Sequence, residues 1–168
     1  MAFGAEGRSV FNSANVGIIY NPSNAKTSDI VKQLMSTLGM DGSAWVISTS
    51  ELTTVAPPPS MSLIITVGGD GTILAATQIA APMGIPILGV NLGRIGFMTE
   101  LSANEASDKI YHYLSGDVRI ETRSMLQASL YDNDIVQSGG AYQALNDIVV
   151  GRSWISRPVH LQVSVDGS

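Results

Sequence analysis

The chain has 168 residues, 45% of them hydrophobic and 14% charged, and carries a formal charge of −5. That length supports one domain with a substantial core, or one domain and the start of another, and the composition excludes a disordered chain. Nine basic residues are scattered singly, which argues against nucleic-acid binding; the lack of cysteine removes disulfides and thiolate metal sites and suits a cytoplasmic protein.

Residues 1–15 have no apolar signal-peptide region and are expected to form a disordered tail. Val16 to Tyr20 is a first strand, ended by Asn21-Pro22-Ser23-Asn24. Thr27 or Ser28 then caps a helix whose apolar residues Ile30, Val31, Leu34, Met35 and Leu38 follow the helical period, with Gly39 closing it. Ala44 to Ile47 is a second strand. Thr53 to Ser60, containing Pro57-Pro58-Pro59, is a stiff connector, because three prolines exclude helix and ladder alike. Met61 to Val67 is a third strand, Thr72 to Ala81 a helix stopped by Pro82, and Ile87 to Val90 a fourth strand. Ser102-Ala-Asn-Glu105 is a capping box opening a helix that ends at Gly116. Gly71 to Gly93 is 23 residues without charge, but Pro82, Gly84, Pro86 and Asn91 divide it, so a membrane span is not expected.

Alternating strands and helices over residues 16–117 imply an α/β domain with a mostly parallel sheet and flanking helices. The character then changes. Arg119 to Leu130 alternates, Asp132-Asn-Asp134 turns, a return strand begins at Ile135, Gly139-Gly140 breaks it, and Tyr142 to Val150 and Ser156 to Val165 are further strands. Residues 118–168 are therefore expected to start a β-rich domain of antiparallel strands. The closing Asp166-Gly167-Ser168 is a hairpin turn with no returning strand, which suggests a truncated domain with an unpaired edge.

The stretch from Leu63 to Ala76 organises the rest. Its buried strand runs into Gly68-Gly69-Asp70-Gly71-Thr72 at the start of a helix, and Asp70 is the only charged residue between Glu51 and Arg94. Glycines let backbone N–H groups approach an anion, and a helix N-terminus favours negative charge. A phosphate-handling loop with Asp70 at its chemical centre follows, and a second glycine-rich turn after the fourth strand lies where α/β sheets bind ligands. His112 and His160 have no metal-ligand partner at useful spacing, so no metal site built by the protein is expected.

Gly-Gly-Asp-Gly-Thr resembles a loop shared by diacylglycerol and sphingosine kinases, with a related form in phosphofructokinases, so a lipid or sugar kinase is an alternative. Asn91-Leu-Gly-Arg-Ile-Gly-Phe-Met-Thr-Glu100, Arg123-Ser-Met-Leu126 and Ala144-Leu-Asn-Asp-Ile-Val-Val150 resemble, in order, further motifs of the NAD kinase family. The resemblance covers about Val16 to Gly167. It implies an α/β domain followed by a β-rich one, and magnesium-dependent transfer of the ATP γ-phosphoryl to the 2′-hydroxyl of the adenosine ribose of NAD. It implies Asp70 as general base. The implied nucleotide-binding residues are Gly68, Gly69, Gly71, Thr72, Asn91, Arg94, Phe97, Asn146, Asp147 and Arg157. It also implies homo-oligomers built through the β domain. Three departures stand out: Asn146-Asp147 replaces the frequent Asn-Glu, Ala75 replaces a basic residue, and the family's later glycine- and threonine-rich segment has no counterpart. An inactive nucleotide-binding fragment is the non-enzyme alternative.

Overall fold

The computed structural model describes residues 11, 15–40, 42, 44–93, 96, 98–116, 118–132, 135–151 and 160–166. The chain divides into two compact units, Met1–Ser124 and Met125–Ser168.

The first unit is a five-stranded sheet in the order β2-β1-β3-β4-β5, with every neighbouring pair parallel. Its elements are β1 (Val16–Tyr20), α1 (Thr27–Thr37), β2 (Val46–Ser48), β3 (Leu63–Val67), α2 (Asp70–Met83), β4 (Ile87–Asn91), β5 (Leu101–Ser102) and α3 (Ala103–Leu114). All five residues of β3 are buried, as a strand covered on both faces requires. Alternation decides which helix each residue meets. Leu63, Ile65 and Val67 join Ile18 and Val90 under α1 and α3, against Val31, Leu34, Leu38, Ile110 and Leu114. Ile64 and Ile19 point the other way and pack with Ala76 and Ala80 of α2. This is the α/β class that the strand–helix alternation implies.

The order places β2 on one side of β1 and β3 on the other. The chain therefore reverses its winding between β1 and β3, and the loops leaving their carboxyl ends part there to open a crevice. Those loops begin at Asn21 and Gly68. The glycine loop thus stands at the topological switch point of the sheet.

Several boundaries differ from the expected ones. α2 opens two residues early, at Asp70, because Gly69 is extended (φ −101°, ψ −170°) and acts as its N-cap. Pro82 lies inside α2 instead of stopping it, and the helix ends at Gly84 in the left-handed region (φ 64°). A proline in the last turn frees the carbonyl of Gln78, which lies at an exposed position where water satisfies it. The N-cap of α1 is Lys26, with no side-chain cap; Asn24 shapes the turn instead, accepting the Lys26 N–H at 3.0 Å through Oδ1. The second strand is shifted to Val46–Ser48. Trp45, just before it, donates its indole N–H to Ala56 O at 3.2 Å and so ties down the proline segment.

The capping box at α3 is formed as the sequence implies. Glu105 Oε2 accepts from the Ser102 hydroxyl at 2.6 Å, and Lys109 donates to Oε1 at 2.6 Å. The bond to Lys109, then those to Ser102, hold the Glu105 carboxyl down from the usual 4.5 to about 2. A pKa lower in the folded than in the unfolded chain stabilises the fold above about pH 4.5 and is lost as pH falls toward 2. Glu105→Gln is accordingly expected to flatten the acid limb of a denaturant-midpoint-versus-pH curve over that window. The difference shrinks in high salt, because the pair is exposed. An unchanged slope refutes it.

The second unit contains one antiparallel pair, β6 (Leu126–Asp132) and β7 (Ile135–Ala144). The expected break at Gly139-Gly140 is a register irregularity within a single strand. Ser129 pairs Ala141, while Tyr131 pairs Val136, so residues 137–140 bulge opposite Leu130. Arg119 to Met125 and Leu145 to Val150 form no strand, and neither do residues 160–164 of the expected last strand. Alternation tells which side chains would share a face, but a strand also needs a ladder partner. The rest of that expected strand, 156–159, lies outside the described residues. Leu126, Leu130, Tyr131 and Tyr142 are exposed on β6 and β7.

Candidate active site

Asp70 is half-buried and is the first residue of α2. Its carboxylate therefore sits at the positive end of the helix dipole, beside first-turn amides that have no intrahelical acceptor. Gly68 N donates to Val90 O at 2.9 Å and Thr72 N to Gly69 O at 2.9 Å, which folds the turn tightly against β4.

The three glycines of the loop play different parts. A Cβ on Gly68 would collide with Thr72 Oγ1 and lie 3.4 Å from Asn21 Cβ, so glycine is demanded there by packing. At Gly69 and Gly71 a Cβ would meet nothing within 4 Å among the described residues, and neither has positive φ. Among the described residues, neither packing nor backbone conformation calls for glycine at either position, and side-chain-free positions suit close approach to the backbone. Thr72 turns inward: it is 2% exposed, and its hydroxyl is buried without a hydrogen-bond partner.

The second loop leaves β4 at Asn91, which is 7% exposed and accepts the Gly93 N–H through Oδ1 at 3.1 Å. It returns over the sheet to Asp70. Met98 N donates to Asp70 Oδ1 at 3.2 Å, and Gly96 N donates to Thr99 Oγ1 at 2.8 Å. A Cβ on Gly96 would overlap Asp70 Oδ1 and fall 2.8 Å from its Cγ. Behind the loop, Glu100 N donates to Gly89 O at 3.0 Å. A Cβ on Gly89 would stand 3.0 Å from Thr99 Cα and 3.1 Å from Met98 O.

Gly68, Gly69, Asp70, Gly71, Thr72 and Asn91 are thus brought to one edge of the sheet. Asn146 and Asp147 are exposed residues of the second unit, just beyond β7. Arg94, Phe97 and Arg157 lie outside the described residues. Gly89, Gly96, Met98 and Thr99 are additional residues that build the site. A glycine inside a buried strand such as β4 is the one sequence signal that marks close backbone approach.

The fold is a doubly wound α/β domain whose paired loops lie at the carboxyl edge of its sheet, where such folds bind ligands. Residues 48–118 match the ATP-NAD kinase N-terminal domain. Over 155 residues the chain is 37% identical to an NAD kinase of Dehalococcoides mccartyi, covering 90% of this chain and 54% of that protein. It is 32% identical over 159 residues to the NAD kinase of Heliobacterium modesticaldum, covering 89% and 56% respectively. The fold is similar to that of yeast NADH kinase, solved as a complex with NADH. That likeness has a TM-score of 0.56 at 22% identity and covers 79% of this chain and 44% of the yeast chain.

The chain belongs to the NAD kinase family. It spans about half the length of the curated relatives it matches. Among the described residues, no helix is long and apolar enough to cross a membrane.

Proposed function

We propose that the protein carrying this chain transfers the γ-phosphoryl group of ATP to the 2′-hydroxyl of the adenosine ribose of NAD, giving NADP. The observation that carries the proposal is the Gly69-Asp70-Gly71 turn. It puts a carboxylate at a helix N-terminus between two glycines that, among the described residues, neither packing nor backbone conformation requires. Phosphoryl transfer depends mainly on positioning and on stabilising charge. The backbone amides of this turn suit the phosphates, and Asp70 suits the proton of the attacking hydroxyl.

Among the described residues, no group of three or more His, Cys, Asp or Glu side chains could hold a metal ion. A magnesium ion bound mainly by the ATP phosphates, arriving with the substrate, fits this donor set. Asn91, Asn146 and Asp147 carry the amide and carboxylate groups to meet the dinucleotide, and Arg94, Phe97 and Arg157 complete the proposed set. We extend the proposal to a β-rich domain beginning near residue 118, to assembly of the protein as a homo-oligomer, and to a cytoplasmic location.

The test combines substrate choice with Gly71→Ala. The protein should form NADP from NAD and ATP with magnesium and leave lipid and sugar hydroxyls untouched. Gly71 lies in a helix with no described residue within 4 Å of where a Cβ would stand, so alanine should stabilise the fold by about 0.5–1 kcal/mol. The same methyl group, placed where phosphate must approach, should depress NADP formation. Phosphorylation of a lipid or sugar with NAD inert would overturn the proposed acceptor. Full activity in Gly71→Ala would overturn the proposed role of the turn.

A further inference from the structure

We propose that Thr99 is a positioning residue for Asp70, acting through the backbone of Gly96 and Met98. The inference rests on Asp70 being the base, and it adds what fixes that carboxylate in place. The bond from Met98 N–H to Asp70 Oδ1 spans 28 residues.

The geometry has three linked parts. Thr99 is 5% exposed, and its hydroxyl oxygen accepts the Gly96 N–H at 2.8 Å, closing the tip of the second loop on itself. That closure turns the side-chain-free face of Gly96 against the Asp70 carboxylate, where any Cβ would overlap it. It also aims the Met98 N–H at Oδ1, at 3.2 Å. Gly96 is not among the positive-φ glycines, so its requirement for glycine is one of space and not of backbone conformation. From behind, the Glu100 bond to Gly89 O anchors the loop to β4, and Thr99 Cα lies 3.0 Å from where a Gly89 Cβ would stand. The carboxylate is therefore walled on one side by a glycine and held at one oxygen by an amide. A single buried hydroxyl sets both. A base is effective only in hydrogen-bond reach of its proton, so a carboxylate fixed in advance is worth more than a rotating one.

Residue-resolved amide exchange on the 15N-labelled chain, without nucleotide, tests the linkage. Thr99→Val keeps the shape and removes the acceptor; Thr99→Ser keeps the acceptor. Loss of one such bond should speed exchange of both the Gly96 and Met98 amides about tenfold in Thr99→Val. The Gly68 and Ile64 amides, bonded to Val90 O and Pro86 O, should stay within about twofold, since no contact of theirs is touched. Thr99→Ser should restore Gly96 and Met98, and Asp70→Ala should release Met98. Faster exchange at Gly96 with Met98 unchanged would overturn the relay. Equal acceleration at Ile64 would make Thr99 a general stability residue and also overturn it, as would failure of serine to rescue. Because no nucleotide is present, these failures leave the base assignment of Asp70 standing. That assignment falls only on turnover data for Asp70 itself.

Discussion

Asp70→Asn is expected to lower NADP formation by about a thousandfold, the range for removing a positioned general base, with the fold intact. Asparagine is nearly isosteric with aspartate and keeps an oxygen acceptor for the Met98 N–H. The Gly96 backbone therefore meets a side chain of the same size, and the thermal midpoint should barely move. The amide cannot take a proton from a ribose hydroxyl at neutral pH. Removing the negative charge also relieves repulsion toward phosphate, so ATP affinity should hold or increase while turnover falls. Steady-state NADP formation, thermal unfolding and ATP titration of the variant together separate these effects. Turnover within about tenfold of the unaltered protein would remove Asp70 from the base role. A collapsed melting curve would instead assign it a structural one.

The candidate site was legible in the sequence where its signals are local. Gly68 to Thr72 lie within one turn, and their combination of glycines, one carboxylate and a helix start can be read from five consecutive residues. The capping box of α3 is equally local, and the structure forms it bond for bond. The residues that hold Asp70 are a different matter. Gly96 and Met98 reach it only because β3 and β4 are neighbours and the second loop folds back across them. No window of sequence contains that approach. The second unit shows the same limit from the other side. Alternation in 160–165 satisfies the strand pattern, but no ladder forms over 160–164. Helix boundaries failed for a related reason: Gly69 and Pro82 have tolerances set by exposure and by extended backbone, which composition does not report.

Gly89→Ala is expected to destabilise the fold by about 2–3 kcal/mol, toward the upper end for adding one methyl to a packed interior. The cost comes from what surrounds the new atom. Ile73 Cδ1, 2.8 Å away, belongs to a side chain that can rotate, but Thr99 Cα at 3.0 Å and Met98 O at 3.1 Å are backbone. They can retreat only if the whole second loop lifts from β4 and strains the Glu100 N–H bond to Gly89 O. Lifting it also withdraws the Met98 N–H from Asp70, so stability and NADP formation should fall together. Gly71→Ala separates the same two quantities, because its methyl meets none of the described residues. Measuring urea midpoints and turnover for both variants therefore distinguishes glycines required by packing from glycines required by a ligand. Wild-type stability in Gly89→Ala would mean that the second loop is not seated on β4. The positioning of Asp70 from behind would then lose its physical basis.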